Sequence, residues 1–264
     1  MKNHNDFNVS QGDARAPRIS VLAGMAAFVL TACGGPDVTK GAPNAPSAAS
    51  GTDPRPAHHG GADHRHHAHG KGHHHRFDDA EGWSKVFDDP ARDEWQKPGQ
   101  VVAAMAITPG MTVADIGAGT GYFLPYLARA VGPTGKVLGQ DVEPSMVKWI
   151  DERAKRENLS NVQGLLGAAD DPKLPPRSVD RVLVVDVWHH IDDRPSFAKK
   201  LVAALRPGGA IFIVDYTRES PHGPPQHARI SPDEIRQDLA AAGLTTDVLS
   251  DVGLPHQYVV RGKL

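Results

Sequence analysis

Four groups of residues in this sequence have types and spacings that suit chemistry. Glycines at 117, 119 and 121 follow an apolar run that ends at Asp115-Ile116. Lacking a Cβ, they allow positive φ and close backbone approach to a ligand, and N–H groups in such a turn point at whatever binds before the next helix. Asp141 and Asp186 close two further apolar runs, where a carboxylate can accept hydrogen bonds from hydroxyls or face a cation. His189-His190 follows the second run, and imidazole exchanges protons near neutral pH. The last group is nine histidines, His58, His59, His64, His66, His67, His69, His73, His74 and His75. Neutral imidazole ligates Zn, Ni and Cu. Their irregular spacing, with no Cys or acid cluster, implies weak, exchangeable metal binding or a solvated spacer, not a cofactor site.

The glycine spacing decides between two kinds of ligand loop. A dinucleotide fingerprint is G-x-G-x-x-G, which from Gly117 needs glycine at 122, where the chain has Tyr122. Asp115-Ile116-Gly117-Ala118-Gly119-Thr120-Gly121 instead resembles motif I of the Rossmann-like S-adenosylmethionine (SAM) methyltransferases. Gly139-Gln140-Asp141-Val142-Glu143-Pro144-Ser145-Met146 resembles the second motif of that family. The His189-His190 segment and Arg206-Pro207-Gly208-Gly209 also resemble family features and come in family order.

The resemblance implies an α/β fold, a Rossmann-like, mostly parallel sheet of seven strands with helices on both faces and a C-terminal antiparallel hairpin. It implies SAM as cofactor and methyl transfer as the activity. Asp115, Gly117, Ala118, Gly119 and Gly121 would cradle the cofactor, and Asp141 would take the ribose hydroxyls, near the offset expected of a second strand. Val142 and Met146 would flank the adenine, and Asp170 or Asp171 would accept from its amine. Asp186, Trp188, His189 and His190 would lie where donor and acceptor meet. His189 is the candidate general base, although a similar pair in relatives with different acceptors fits a structural role. Arg92, Trp95 and Gln96, ahead of the first strand, are candidate contacts to the methionine end of SAM.

The elements that must position these residues follow from periodicity. Apolar runs predict strands at 111–116, 136–140, 161–167, 181–186 and 210–216, with two closing strands near 245–252 and 257–261. Helical patterns fill the gaps at 100–106 and 122–131. A further helix starts at Ser231-Pro232-Asp233-Glu234, with an N-cap serine and proline at the first turn. Arg206-Pro207-Gly208-Gly209 reads as the turn that ends one helix before the strand at Ala210. The 222–229 loop, rich in Pro and His, either lines the acceptor pocket or is exposed.

Charge and composition bound the partners. The net charge is −2 with both signs interspersed, so no basic footprint argues for nucleic acid. The acceptor implied is a small molecule. The lone cysteine, Cys33, ends Leu30-Thr31-Ala32-Cys33 after an apolar run that Arg15 and Arg18 precede. This has the regions of a secretory signal and resembles a bacterial lipobox, which implies acyl chains on Cys33 as a membrane anchor. The expected organisation is a signal over 1–32, a Pro-, Gly- and His-rich disordered linker over 33–75, and a methyltransferase domain over 76–264. The expected location is the cell envelope, anchored to the membrane and facing the periplasm or exterior, or the cytoplasm if the N-terminus is not a true signal. SAM is made in the cytosol, which sets the anchor against the domain. The competing functional reading is therefore a lipid-anchored, His-rich metal-binding protein that reuses a methyltransferase fold.

Overall fold

The computed structural model describes residues 79–264. Cys33, the histidine tract and the linker lie outside the described residues. The described residues open with three short helices, α1 (Ala80–Phe87), α2 (Arg92–Gln96) and α3 (Pro98–Ala104). It then alternates β1 (Thr112–Ile116), α4 (Leu124–Val131), β2 (Lys136–Asp141), α5 (Pro144–Arg156), β3 (Val162–Leu166) and β4 (Val179–Val185). After a 3₁₀ turn at Trp188–His190 come α6 (Arg194–Ala204), β5 (Leu205–Tyr216), α7 (Pro232–Ala241), β6 (Thr245–Leu249) and β7 (Gln257–Lys263).

The seven strands form one sheet in the order β3-β2-β1-β4-β5-β7-β6. The first five are parallel, and β7 runs antiparallel to both β5 and β6. The order reverses between β1 and β4, where β4 pairs with β1 in place of β3. A crevice for a ligand opens outside the carboxyl ends of strands at such a switch point.

Unbroken apolar strands are explained by burial of both faces. Alternate residues go to opposite sides. Leu183, Phe212 and Val214 pack with Val101, Leu127 and Val131 from α3 and α4. Val182, Val184, Ile211 and Ile213 pack with Phe197, Leu201, Ile235 and Leu239 from α6 and α7. In α4 the buried residues are Leu124, Leu127, Ala128 and Val131, the i, i+3, i+4, i+7 stripe of a helix on a sheet. Ser231 and Glu234 cap α7 reciprocally, with Glu234 Oε2 accepting from the Ser231 amide at 2.8 Å, a pairing that satisfies two amides the first turn cannot.

Several expected boundaries move. The helix expected at 100–106 runs Pro98–Ala104, because Lys97 takes φ 48° and Pro98 occupies the first turn. Arg206-Pro207-Gly208-Gly209 does not separate α6 from β5. It is the start of β5 itself, bulged so that the pairing jumps from Val179–Leu205 to Arg181–Ala210, with Gly208 at φ 76°. The last strand reaches Lys263 and inserts between β5 and β6.

Candidate functional site

Four adjacent strands, β2, β1, β4 and β5, each deliver an aspartate at or just past the carboxyl end: Asp141, Asp115, Asp186 and Asp215. Burial there is severe, with Asp115 at 3 %, Asp141 at 7 % and Asp215 at 0 % exposure. Desolvation disfavours a charged carboxyl. It pushes Asp115 up to about 7, with Arg92 opposing and Asp141 reinforcing the rise. Asp186 is likewise pushed to about 7 by burial, with Arg92 opposing and Asp215 reinforcing. Burial also raises Asp141, offset by backbone N–H donors from Glu143, Gly119 and Val142.

The glycine loop wraps around Asp141. The amide of Gly119 donates to Asp141 Oδ2 at 2.8 Å and that of Glu143 to Oδ1 at 3.0 Å. All three loop glycines have positive φ, but their surroundings differ. A Cβ on Gly117 would lie 2.4 Å from Val187 Cγ2, and one on Gly121 would lie 2.6 Å from Leu124 Cδ1. On Gly119 it would meet only the Phe87 ring, at 3.5 Å. Gly119 is therefore the glycine whose open side the opening helices cover, and the other two are filled from within the domain.

Those helices form a strap across the crevice. Asp88 accepts from Thr120 Oγ1 and from Arg153, each at 3.0 Å. Asp93 accepts from the Tyr122 hydroxyl and, at 3.2 Å, from that of Tyr126. The Arg92 guanidinium lies 4.3 Å from the centre of the Tyr122 ring. A ring of four side chains then locks α2 to the sheet. Arg92 Nε donates to Gln96 Oε1 at 3.1 Å, Gln96 Nε2 donates to Gln257 Oε1, and Gln257 Nε2 donates to Asp186 Oδ1 at 2.5 Å. Arg92 closes it on Asp186 Oδ2 at 3.5 Å.

Asp186 itself has φ 59°, a left-handed conformation that costs a non-glycine residue about 1–2 kcal/mol. Such strain persists only where the surroundings over-determine it, which the ring does. Beyond it, both oxygens of Asp215 lie 3.1 Å from His189 Nδ1. On the far side Trp95 stacks on His222 at 4.5 Å and 14°, and its ring centre is 6.2 Å from that of Tyr216. The loop around His222 is held by Arg229, which donates to the carbonyls of Thr217, Arg218, His222 and Pro224.

The expected residues are thus not all brought together. Asp115, Gly117, Ala118, Gly119, Gly121, Asp141, Asp186 and His189 lie at the carboxyl ends of β1, β2 and β4 or in the turns that follow, and Arg92, Trp95 and Gln96 approach from the strap. Val142 keeps 46 % of its surface open, whereas Met146 is 1 % exposed inside the core. Asp170 faces solvent, 85 % exposed, and pairs with Lys200 at 3.3 Å. Asp171 accepts from the backbone and side chain of Lys173. Trp188 belongs to the core, its indole donating to Asp238 at 3.0 Å. Three residues escaped the sequence: Gln140, 1 % exposed, whose amide oxygen accepts from the Gly117 amide at 3.3 Å; Gln257; and Asp215. Among the described residues no group of three His, Cys, Asp or Glu is placed to hold a metal ion.

The arrangement fits a cationic ligand with a sugar. Desolvated carboxyls at the ends of β1 and β4 gain from a positive charge that Arg92 only partly supplies, and Asp141 is already fixed beside the glycine turn. A sulfonium with an amino group and a ribose, as in SAM, meets both requirements.

Comparisons with known proteins agree. Residues 113–209 match the family described as a methyltransferase domain. The crystal structure of a SAM dependent methyltransferase from Aquifex aeolicus superposes with a TM-score of 0.65 at 30 % identity, covering 70 % of this chain and 98 % of that one. An arsenite methyltransferase of Halobacterium salinarum is 29 % identical over 150 residues, 57 % of this chain and 38 % of its own length. A demethylmenaquinone methyltransferase of Listeria welshimeri is 28 % identical over 122 residues, 46 % of this chain and 51 % of its own. The chain spans about half or less of the length of these curated relatives.

Proposed function

We propose that this chain, which belongs to the SAM-dependent methyltransferases, methylates a small molecule in the crevice between the α1–α2 strap and the ends of β1, β4 and β5. The observation that carries this reading is the row of buried aspartates around the glycine turn, with Arg92 as the cation that reaches both Asp115 and Asp186. SAM brings an electrophilic methyl group on a cationic sulfur. The chain's part is to hold, orient and desolvate the reactants. Asp115 and Asp186 would face the positive charge, Asp141 the ribose hydroxyls, and the turn from Gly117 to Gly121 would approach by its backbone. The names of the similar proteins, acting on arsenite and demethylmenaquinone, support a small acceptor.

Calorimetric titration of SAM into the purified full chain tests the reading. Micromolar, one-to-one binding that Asp141→Asn weakens at least tenfold is the expected result. Undetectable binding by the native chain sinks it.

The N-terminal residues carry two proposals of their own. Leu30-Thr31-Ala32-Cys33 supports acylation of Cys33 and placement on the outer side of a membrane; labelled palmitate should enter the native chain and not Cys33→Ser. The nine histidines between 58 and 75 support loose binding of Zn, Ni or Cu; deletion of 58–75 should remove metal uptake and leave SAM affinity alone. Metal uptake that survives the deletion places the metal elsewhere.

A further inference from the structure

One buried pair at the crevice is left unused by cofactor binding. His189 belongs to the 3₁₀ turn after β4, and Asp215 to the end of β5. Their side chains are 6 % and 1 % exposed. Both Asp215 oxygens lie 3.1 Å from His189 Nδ1, and the Tyr216 amide fixes Oδ1 at 2.8 Å. A carboxylate offers only lone pairs, so Nδ1 carries the ring proton and the ring's own lone pair is left on Nε2. The partner of one imidazole nitrogen selects the state of the other. The pair also stands beside Asp186, on which both groups act. His189 is three residues beyond Asp186, and its ring centre is 6.5 Å from that of Tyr216, which Trp95 approaches from the strap.

We propose that Asp215 is a positioning residue that holds His189 with Nε2 free to take a proton from the acceptor, and that the acceptor carries its methyl-accepting atom as an acidic O–H or S–H. The proposal rests on the methyl-transfer reading. The proton passes from the acceptor to Nε2, the bonding pair stays on the oxygen or sulfur, and the ring becomes an imidazolium. The carboxylate of Asp215 balances that charge. An acceptor that attacks through a lone pair it already has, such as a neutral amine, needs no such group. Several elements set the field around the ring: Asp186 from β4, Asp215 and Tyr216 from β5, Tyr258 from β7, His190 from the same turn, and Arg92 from α2 through Asp186.

The experiment uses the full chain with methyl-labelled SAM and three probe acceptors, a hydroquinone, a dithiol and a primary amine. Transfer to the hydroquinone or the dithiol is expected. Asp215→Asn should lower kcat on that probe about 100-fold or more, the scale of general-base catalysis, shift the acid limb of the pH profile, and leave the KM for SAM within about twofold. Asp215→Glu should recover part of kcat. Nitrogen-15 spectra, with the His189 signal assigned through His189→Gln, should show the Nδ1–H form in the native chain and its loss in Asp215→Asn. SAM calorimetry on each variant confirms that the fold survives. An Asp215→Asn chain with native kcat and native pH profile overturns the proposal, as does transfer confined to the amine or to none of the probes. Failure of the native chain to bind SAM sinks the methyl-transfer reading itself, and this inference with it.

Discussion

Gln257 donates its amide to Asp186 across 71 positions of sequence, at 2.5 Å. That bond ties the last strand of the sheet to the strained residue at the end of β4. Through Gln96 and Arg92 the same bond reaches the strap, so one side chain on β7 governs how α2 closes on the crevice.

Replacing Gln257 by leucine leaves the buried Gln96 amide without its partner and takes one donor away from Asp186. An unsatisfied buried polar group costs about 1–3 kcal/mol. Gln257→Leu should therefore lower unfolding stability by that order and speed amide exchange across 92–96. Stability within about 0.5 kcal/mol of native, with unchanged exchange, would count against the ring.

The raised carboxyls make stability depend on pH. Asp115 and Asp186 have folded values of about 7 against an ordinary 3.8. Between those values the folded chain holds protons that the unfolded chain has released. Stability of the free protein should thus fall as pH rises from about 4 to about 7, by about 1.4 kcal/mol per pH unit for each carboxyl, and level off above. SAM affinity should climb over the same interval, since the ligand's positive charge favours the ionised acids. Urea unfolding of the native chain beside Asp115→Asn and Asp186→Asn isolates each share, and superimposable pH slopes would remove the assignment.

The loop glycines should separate into two kinds. Gly121→Ala forces a Cβ against buried Leu124 and keeps an unfavourable φ, at a combined cost of about 2–4 kcal/mol. Gly119→Ala has room for its methyl and bears only the backbone term, about 1–2 kcal/mol, while SAM affinity drops. Thermal melts and calorimetry on the two variants read the difference. Equal loss of stability in both would show that Gly119 is also packed from within.

Asp141 has a structural duty as well as an expected ligand. Its two oxygens hold the amides of Gly119 and Glu143. Asp141→Ala should lose about 1–3 kcal/mol of stability in addition to SAM affinity, whereas Asp141→Asn retains a carbonyl acceptor and most of the stability. Full stability in Asp141→Ala would make those bonds incidental.

What the sequence disclosed was local. The glycine turn, Asp141 and the apolar strands are written in consecutive residues, so spacing and burial pattern were enough. The aspartate at the end of Ile211-Phe212-Ile213-Val214-Asp215 carried the same signal as Asp115 and Asp186, an acid that stops an apolar run, yet only the fold shows it facing His189. Gln257 carried none, because an isolated glutamine reveals nothing until a partner such as Gln96, 161 positions away, is brought to it. Asp170 shows the opposite case. Its local motif was plausible, but the turn from Ala168 to Asp171 closes on itself and leaves the side chain to Lys200 and solvent.

Synthesis runs from the strap towards β7, and that order has a consequence for biogenesis. Arg92 and Gln96 emerge early, but the side chain that locks them to Asp186 is made 161 positions after Gln96. A nascent domain therefore displays its strand-end carboxyls to water, and they are locked under the strap only when β7 slides between β5 and β6.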